Sequence, residues 1–123
     1  MVLVDVEWPD RRADVLAALD CLASAPPGLS GGEADPRWPD LTNAVHWLVD
    51  DTSWDQRDPR ADIGLILANE SEVDAVRAAV AALLTVAERT GAAAADRAWF
   101  GDPGWGVVRE LSARAGQKLR STT

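Results

Sequence analysis

Tyrosine is absent from this chain, and cysteine, histidine, lysine, methionine and phenylalanine each occur once. A single cysteine, Cys21, cannot close an intrachain disulfide, and one cysteine with one histidine is too few soft ligands for an ordinary zinc site. No apolar run approaches the ~20 residues that a bilayer-spanning helix needs. The opening, MVLVDVEWPDRR, lacks a basic head followed by an apolar stretch, so it does not read as a signal peptide. These absences together predict a cytoplasmic protein without a membrane span. Catalytic signatures are missing too: no Gly-x-Ser-x-Gly elbow surrounds Thr52 or Ser53, and no EF-hand loop is present. GDPGWG at 101–106 has neither a preceding strand nor a following Lys-Ser/Thr, so it reads as a tight turn that seats Trp105, not a phosphate loop. Neither a metal nor a cofactor is expected.

What the chain does contain is acid, unevenly spread. Of 123 residues, 20 are Asp or Glu and 12 are Lys or Arg, for a net charge of −8. Residues 1–70 carry 14 acids against 5 bases, whereas residues 71–123 carry 6 against 7. The first half would repel a phosphate backbone, which excludes a typical nucleic-acid binder, and would attract a basic partner. An apolar fraction of 47% is enough for one packed domain.

Proline punctuation and apolar spacing predict an all-α fold: a single compact domain, residues 1–123, of about five helices around a central helix at 71–90. Pro9 opens the first helix, which runs to Ala23 with Val15, Leu16, Leu19, Leu22 and Ala23 on one face. Cys21 falls off that stripe and is expected to be partly exposed. Pro26-Pro27-Gly28 and Gly31-Gly32 then make 24–38 a loop. A second helix spans Pro39 to Asp51, with Leu41, Val45 and Leu48 buried and Asn43, His46 and Asp50 opposite; a short strand over Val45–Val49 competes with it. A third begins at Pro59 behind an Asp58 cap and carries Ile63, Ile66 and Leu67. Ser71 caps the fourth, whose seam is Val73, Val76, Val80, Leu83 and Ala87, with Gly91 as its stop. A short helix over Ala93–Phe100 follows. The last opens at Pro103 behind Asp102, buries Trp105, Val108, Leu111 and Ala115, and frays over 119–123.

Unusual side chains crowd into VHWLVDDTSWDQRDPRAD, residues 45–62, which holds the only histidine, two of six tryptophans and five aspartates. Asp50 and Asp51 stand where a helix C-terminus disfavours negative charge, so either Arg57 or Arg60 folds back onto them or they serve a partner. In the second case Asp50, Asp51, Asp55 and Asp58 form an acidic rim, with His46 beside them and Trp47 and Trp54 as anchors. The expected function is a small acidic protein-binding module for a basic protein, acting as a monomer or homodimer. Two alternatives remain. One is a metal-dependent or histidine-assisted enzyme on His46, Asp50 and Asp51, which requires those groups to converge in a pocket. The other is an oligomerisation module, which requires Trp8, Trp38 and Trp99 to form one exposed apolar patch.

Trp8-Pro9-Asp10-Arg11, then Val45-His46, Leu48 and Asp50-Asp51-Thr52, then Ile63-Gly64, Glu70, Glu72, Asp102-Pro103 and Trp105 follow one another along nearly the whole chain. This pattern resembles a family of small, uncharacterised actinobacterial proteins. No activity is assigned to that family, so the resemblance carries no catalytic residue with it. In size and acidity the chain is also similar to bacterial immunity proteins, which cap toxin domains.

Overall fold

Local signals place most helix ends where the chain's punctuation puts them. The computed structural model describes residues 6–23, 44–91 and 96–122 and is a single all-α domain. Helix α1 spans Pro9–Ala23, as the proline and the apolar spacing predict. Ala44 and Val45 are helical and pass into a π turn, His46–Asp50, so this stretch is helix and not strand. A one-turn 3-10 segment follows at Pro59–Asp62. Helix α2 is Glu70–Thr90, α3 is Asp96–Phe100 and α4 is Trp105–Thr122. The predicted loop at 24–38, the start of the second helix at Pro39 with Leu41 and Asn43, and Thr123 lie outside the described residues.

Helix α4 lies against both α1 and α2, and so shares the central position with the long α2. Helix α2 also touches the 3-10 turn and α3, while α1 packs on the π turn. The common core contains Val15, Leu19 and Leu22 from α1, Leu48 from the π turn, and Ile66 and Leu67 from the turn before α2. Val73, Val76, Val80 and Leu83 of α2 and Val108, Ala115 and Leu119 of α4 belong to it as well.

Four local expectations are corrected. Cys21 is 3% exposed, because α1 is covered on two sides, by α4 and by the π turn, so its buried surface is wider than one stripe. The third predicted helix stops after a single turn. There the Asp62 carbonyl accepts from Leu65, Ile66 and Leu67 N–H, Gly64 adopts φ +91°, and Ile63 is left exposed. Asn69, not Ser71, caps α2: its Oδ1 accepts the Glu72 N–H at 3.0 Å. Finally, α4 begins at Trp105 because Pro103 lies within the preceding turn, where Asp102 accepts the Gly104 N–H at 2.7 Å. Trp105 is buried there, edge-on to Phe100 at 5.2 Å between ring centroids. A side chain at position 104 would come within 2.5 Å of the Arg89 guanidinium, which itself pairs with Asp102.

One ion pair ties these pieces together. Arg12 on α1 and Glu72 on α2 are both buried and meet through two parallel hydrogen bonds of 2.8 Å each. The guanidinium also donates to the Ile66 carbonyl at 3.0 Å and to the Leu119 carbonyl near the end of α4 at 3.1 Å. Glu72 sits at the third position of α2 and reaches back to the Ala68 N–H at 2.8 Å, a reciprocal cap of the helix start. Removing one charge from such a site strands the other, at a cost of about 3–5 kcal/mol. Glu72→Ala should therefore lower the urea-unfolding free energy by about that amount. Arg12→Met with Glu72→Leu should recover most of it; a Glu72→Ala loss below about 1 kcal/mol would show that the pair carries little.

Candidate functional site

Residues 50–62 fold so that their five aspartates take separate paths. The Thr52 hydroxyl donates to the Leu48 carbonyl at 2.7 Å, closing the end of the π turn, and also accepts the Trp54 N–H at 3.2 Å. Ser53 takes φ +60°, a left-handed conformation uncommon outside glycine and asparagine, and its carbonyl receives Gln56 and Arg57 N–H. This reversal turns Trp54 inward. Its ring is 4% exposed, and its Nε1–H donates to Asp62 at 2.6 Å.

Asp62 is therefore a buried brace and not part of an acidic rim. Its carboxylate is 1% exposed as a residue and takes the Arg57 guanidinium at 2.7 Å as well as the indole. Asp58 is exposed but engaged. It caps the 3-10 turn by accepting the Arg60 N–H at 3.0 Å and pairs with Arg77 of α2 at 2.6 Å. The backbone hydrogen bond from Arg60, then the Arg77 guanidinium, hold its carboxyl below the usual 3.8.

Asp50, Asp51 and Asp55 are exposed. The two arginines expected to fold back on Asp50 and Asp51 turn elsewhere, Arg57 to Asp62 and Arg60 to Glu70 at 3.1 Å. Arg11, on α1, serves this helix end instead by donating to the Asp51 main-chain carbonyl at 2.8 Å. A cation near a helix C-terminus is favourable, and here it comes from a residue 40 positions away.

That crossing creates a concavity. Arg11, Asp14, Trp47, Asp51 and Thr52 line a solvent-open recess of about 160 Å³ between α1 and the π turn. Trp47 is half-buried in its wall. Beside it, the Arg11 guanidinium lies 5.7 Å from the centre of the Trp8 ring, and Trp8 is 43% exposed. The candidate site is thus built from two segments, of which the sequence pattern marks only one. Arg11 and Asp14 are one helical turn apart on α1, so a shared exposed face was their only signal.

Of the residues singled out from the sequence, Asp51 and Trp47 meet in this recess, and Asp50 and Asp55 lie on the exposed surface of the same segment. Asp58 is drawn toward α2. Trp54 is withdrawn into the core and cannot serve as a surface anchor; the turn at Ser53 is the reason. The side chain of His46 lies outside the described part of the molecule. Among the described residues no three His, Cys, Asp or Glu side chains are grouped to hold a metal ion. The tryptophan patch of the oligomerisation reading does not form as drawn, because Trp99 is 6% exposed, and Trp38 lies outside the described residues. Among the described residues no helix is long and apolar enough to cross a membrane.

Residues 6–123 match the model of a domain of unknown function, DUF7945, and the chain belongs to that family. No curated protein and no solved structure matches it.

Two expected outcomes follow from this segment. Trp54→Phe keeps the ring but leaves Asp62 short of a donor, and should destabilise by about 1–3 kcal/mol in urea unfolding; an unchanged midpoint would contradict the brace. For Asp58 the folded-state pKa is depressed, so its stabilisation is complete above the ordinary value and is lost as pH falls through the folded one. The difference in urea midpoint between the wild type and Asp58→Asn should therefore be largest near neutrality and close below about pH 4.

Proposed function

We propose that this chain is a small protein-binding module, an immunity- or antitoxin-type inhibitor in character, that captures a basic protein through its acidic face. The carrying observation is that Asp50, Asp51 and Asp55 are exposed on one segment, within the half of the chain that holds 14 of its 20 acidic residues. Asp14 of α1 joins them across the recess, and Trp47 and the exposed Trp8 add aromatic area of the kind that dominates interface energies. An acidic half-chain would also steer a basic partner toward this side at low salt. We place the protein in the cytoplasm, on its single buried cysteine, and the family in actinobacteria, on the resemblance noted above and on arginine outnumbering lysine eleven to one.

Capture from extracts of the native host, quantified by mass spectrometry, tests the reading. The retained protein should be basic, and its retention should fall as ionic strength rises. Asp50→Lys with Asp51→Lys should weaken that retention by about tenfold or more, while the variant still melts cooperatively. Retention that ignores both the charge reversal and salt would overturn the proposal.

A further inference from the structure

We infer that α4 carries a binding site for a small oxyanion, a phosphate or carboxylate group, held by Trp105, Arg109 and Ser112. This site lies in the other half of the chain from the acidic face and does not depend on it. Among the described residues, three buried side-chain atoms have no hydrogen-bond partner: Trp105 Nε1, Arg109 Nε and Ser112 Oγ. All three belong to α4. Elsewhere in the interior, polar groups are matched: Arg12 reaches Glu72, Thr52 bonds the Leu48 carbonyl, and Asp62 takes the Trp54 indole. A buried donor without an acceptor has given up water and gained nothing in return.

Their spacing makes them neighbours. Positions 105, 109 and 112 are four and three apart, so they fall on one face of the helix, where such pairs have Cβ atoms about 5–6 Å apart. Arg109 is the middle member, beside both others. The strip they form is about 10 Å long at a rise of about 1.5 Å per residue.

Chemistry selects an anion over water. Trp105 Nε1 and Arg109 Nε can only donate, and the Ser112 hydroxyl can donate as well. A water molecule cannot accept from all three and neutralises no charge, whereas an oxyanion offers several acceptor oxygens and no donor. Charge makes the same choice. Every other arginine of α2 and α4 pairs with a carboxylate: Arg77 with Asp58, Arg89 with Asp102, Arg114 with Glu110 and Arg120 with Asp20. Arg109 makes no such pair among the described residues, although it is half-buried. A bound oxyanion supplies that counter-charge through the short, charge-assisted hydrogen bonds that guanidinium groups make.

Trp105 is 3% exposed and packs edge-on to Phe100 of α3, and Ser112 is fully buried. Half-buried Arg109 is the member nearest solvent. A solute therefore reaches the other two by local opening beside the Arg109 arm, and once bound it stabilises the folded chain by mass action.

The probes are sodium phosphate, sodium acetate and sodium chloride at low millimolar concentration, titrated into the intact protein at constant pH and ionic strength. The Trp105 indole N–H resonance, assigned with Trp105→Phe, reports binding. Phosphate or acetate should move it saturably and chloride should not; the tighter of the two oxyanions tells a phosphoryl ligand from a carboxylate. Arg109→Gln and Ser112→Ala should each raise the Kd by about tenfold, the effect of losing one such hydrogen bond. The oxyanion should also raise the urea midpoint of the wild type and leave that of Arg109→Gln in place. A Trp105 resonance indifferent to both oxyanions, an equal response to chloride, or a Kd untouched by both substitutions would each reject the site.

Discussion

A buried arginine that finds four acceptors fixes how this domain is assembled. Arg12 reaches two oxygens of Glu72 and the carbonyls of Ile66 and Leu119, so α1, the turn before α2, α2 itself and the end of α4 meet at one side chain. Bringing two charges out of water is expensive, and mutual attraction offsets that cost only where geometry is good and further hydrogen bonds are made. Both conditions are met here: the pair is bidentate, and Glu72 also takes the Ala68 N–H. Its benefit is directional. Apolar packing alone would tolerate a slide of α1 along α4, but four hydrogen bonds at fixed angles would not.

The candidate site inherits this constraint. Arg11 immediately precedes Arg12 in the chain, and it donates to the Asp51 carbonyl while its neighbour is locked inside. Asp14 follows one turn later, so the wall that α1 contributes to the recess has its position set by the Arg12 anchor. On the opposite wall Thr52 closes the π turn and Ser53 adopts its left-handed conformation, sending Trp54 inward to Asp62. Each wall is held by a polar contact beneath it, an arrangement that favours recognition without large rearrangement.

The fold was legible wherever its cause is local. Pro9 and Ala23 bound α1 as spacing and proline chemistry require, Gly91 ends α2, and Asp58 caps a turn. What escaped depends on residues far apart in the chain. Arg12 and Glu72 lie 60 positions apart, and each looks like an ordinary charge in the first turn of a helix. Cys21 and Trp54 were misplaced for a related reason: periodicity describes one buried face, whereas α1 is covered on two, and a backbone reversal at Ser53 redirects the chain without any proline or glycine to announce it. Crowding of aspartates drew attention to residues 50–62, yet the pattern could not separate Asp51, which lines the recess, from Asp62, which braces the interior.

The dependence of the whole on that one ion pair can be read at a single amide. Ala68 lies outside regular helix, and among the described residues its N–H donates to the buried Glu72 carboxylate alone. Native-state hydrogen exchange should find it protected as strongly as amides in the middle of α2, opening only when the domain unfolds. Exchange at the rate of an exposed turn, with α2 still protected, would contradict the account, because the pair would then be opening while the fold stands.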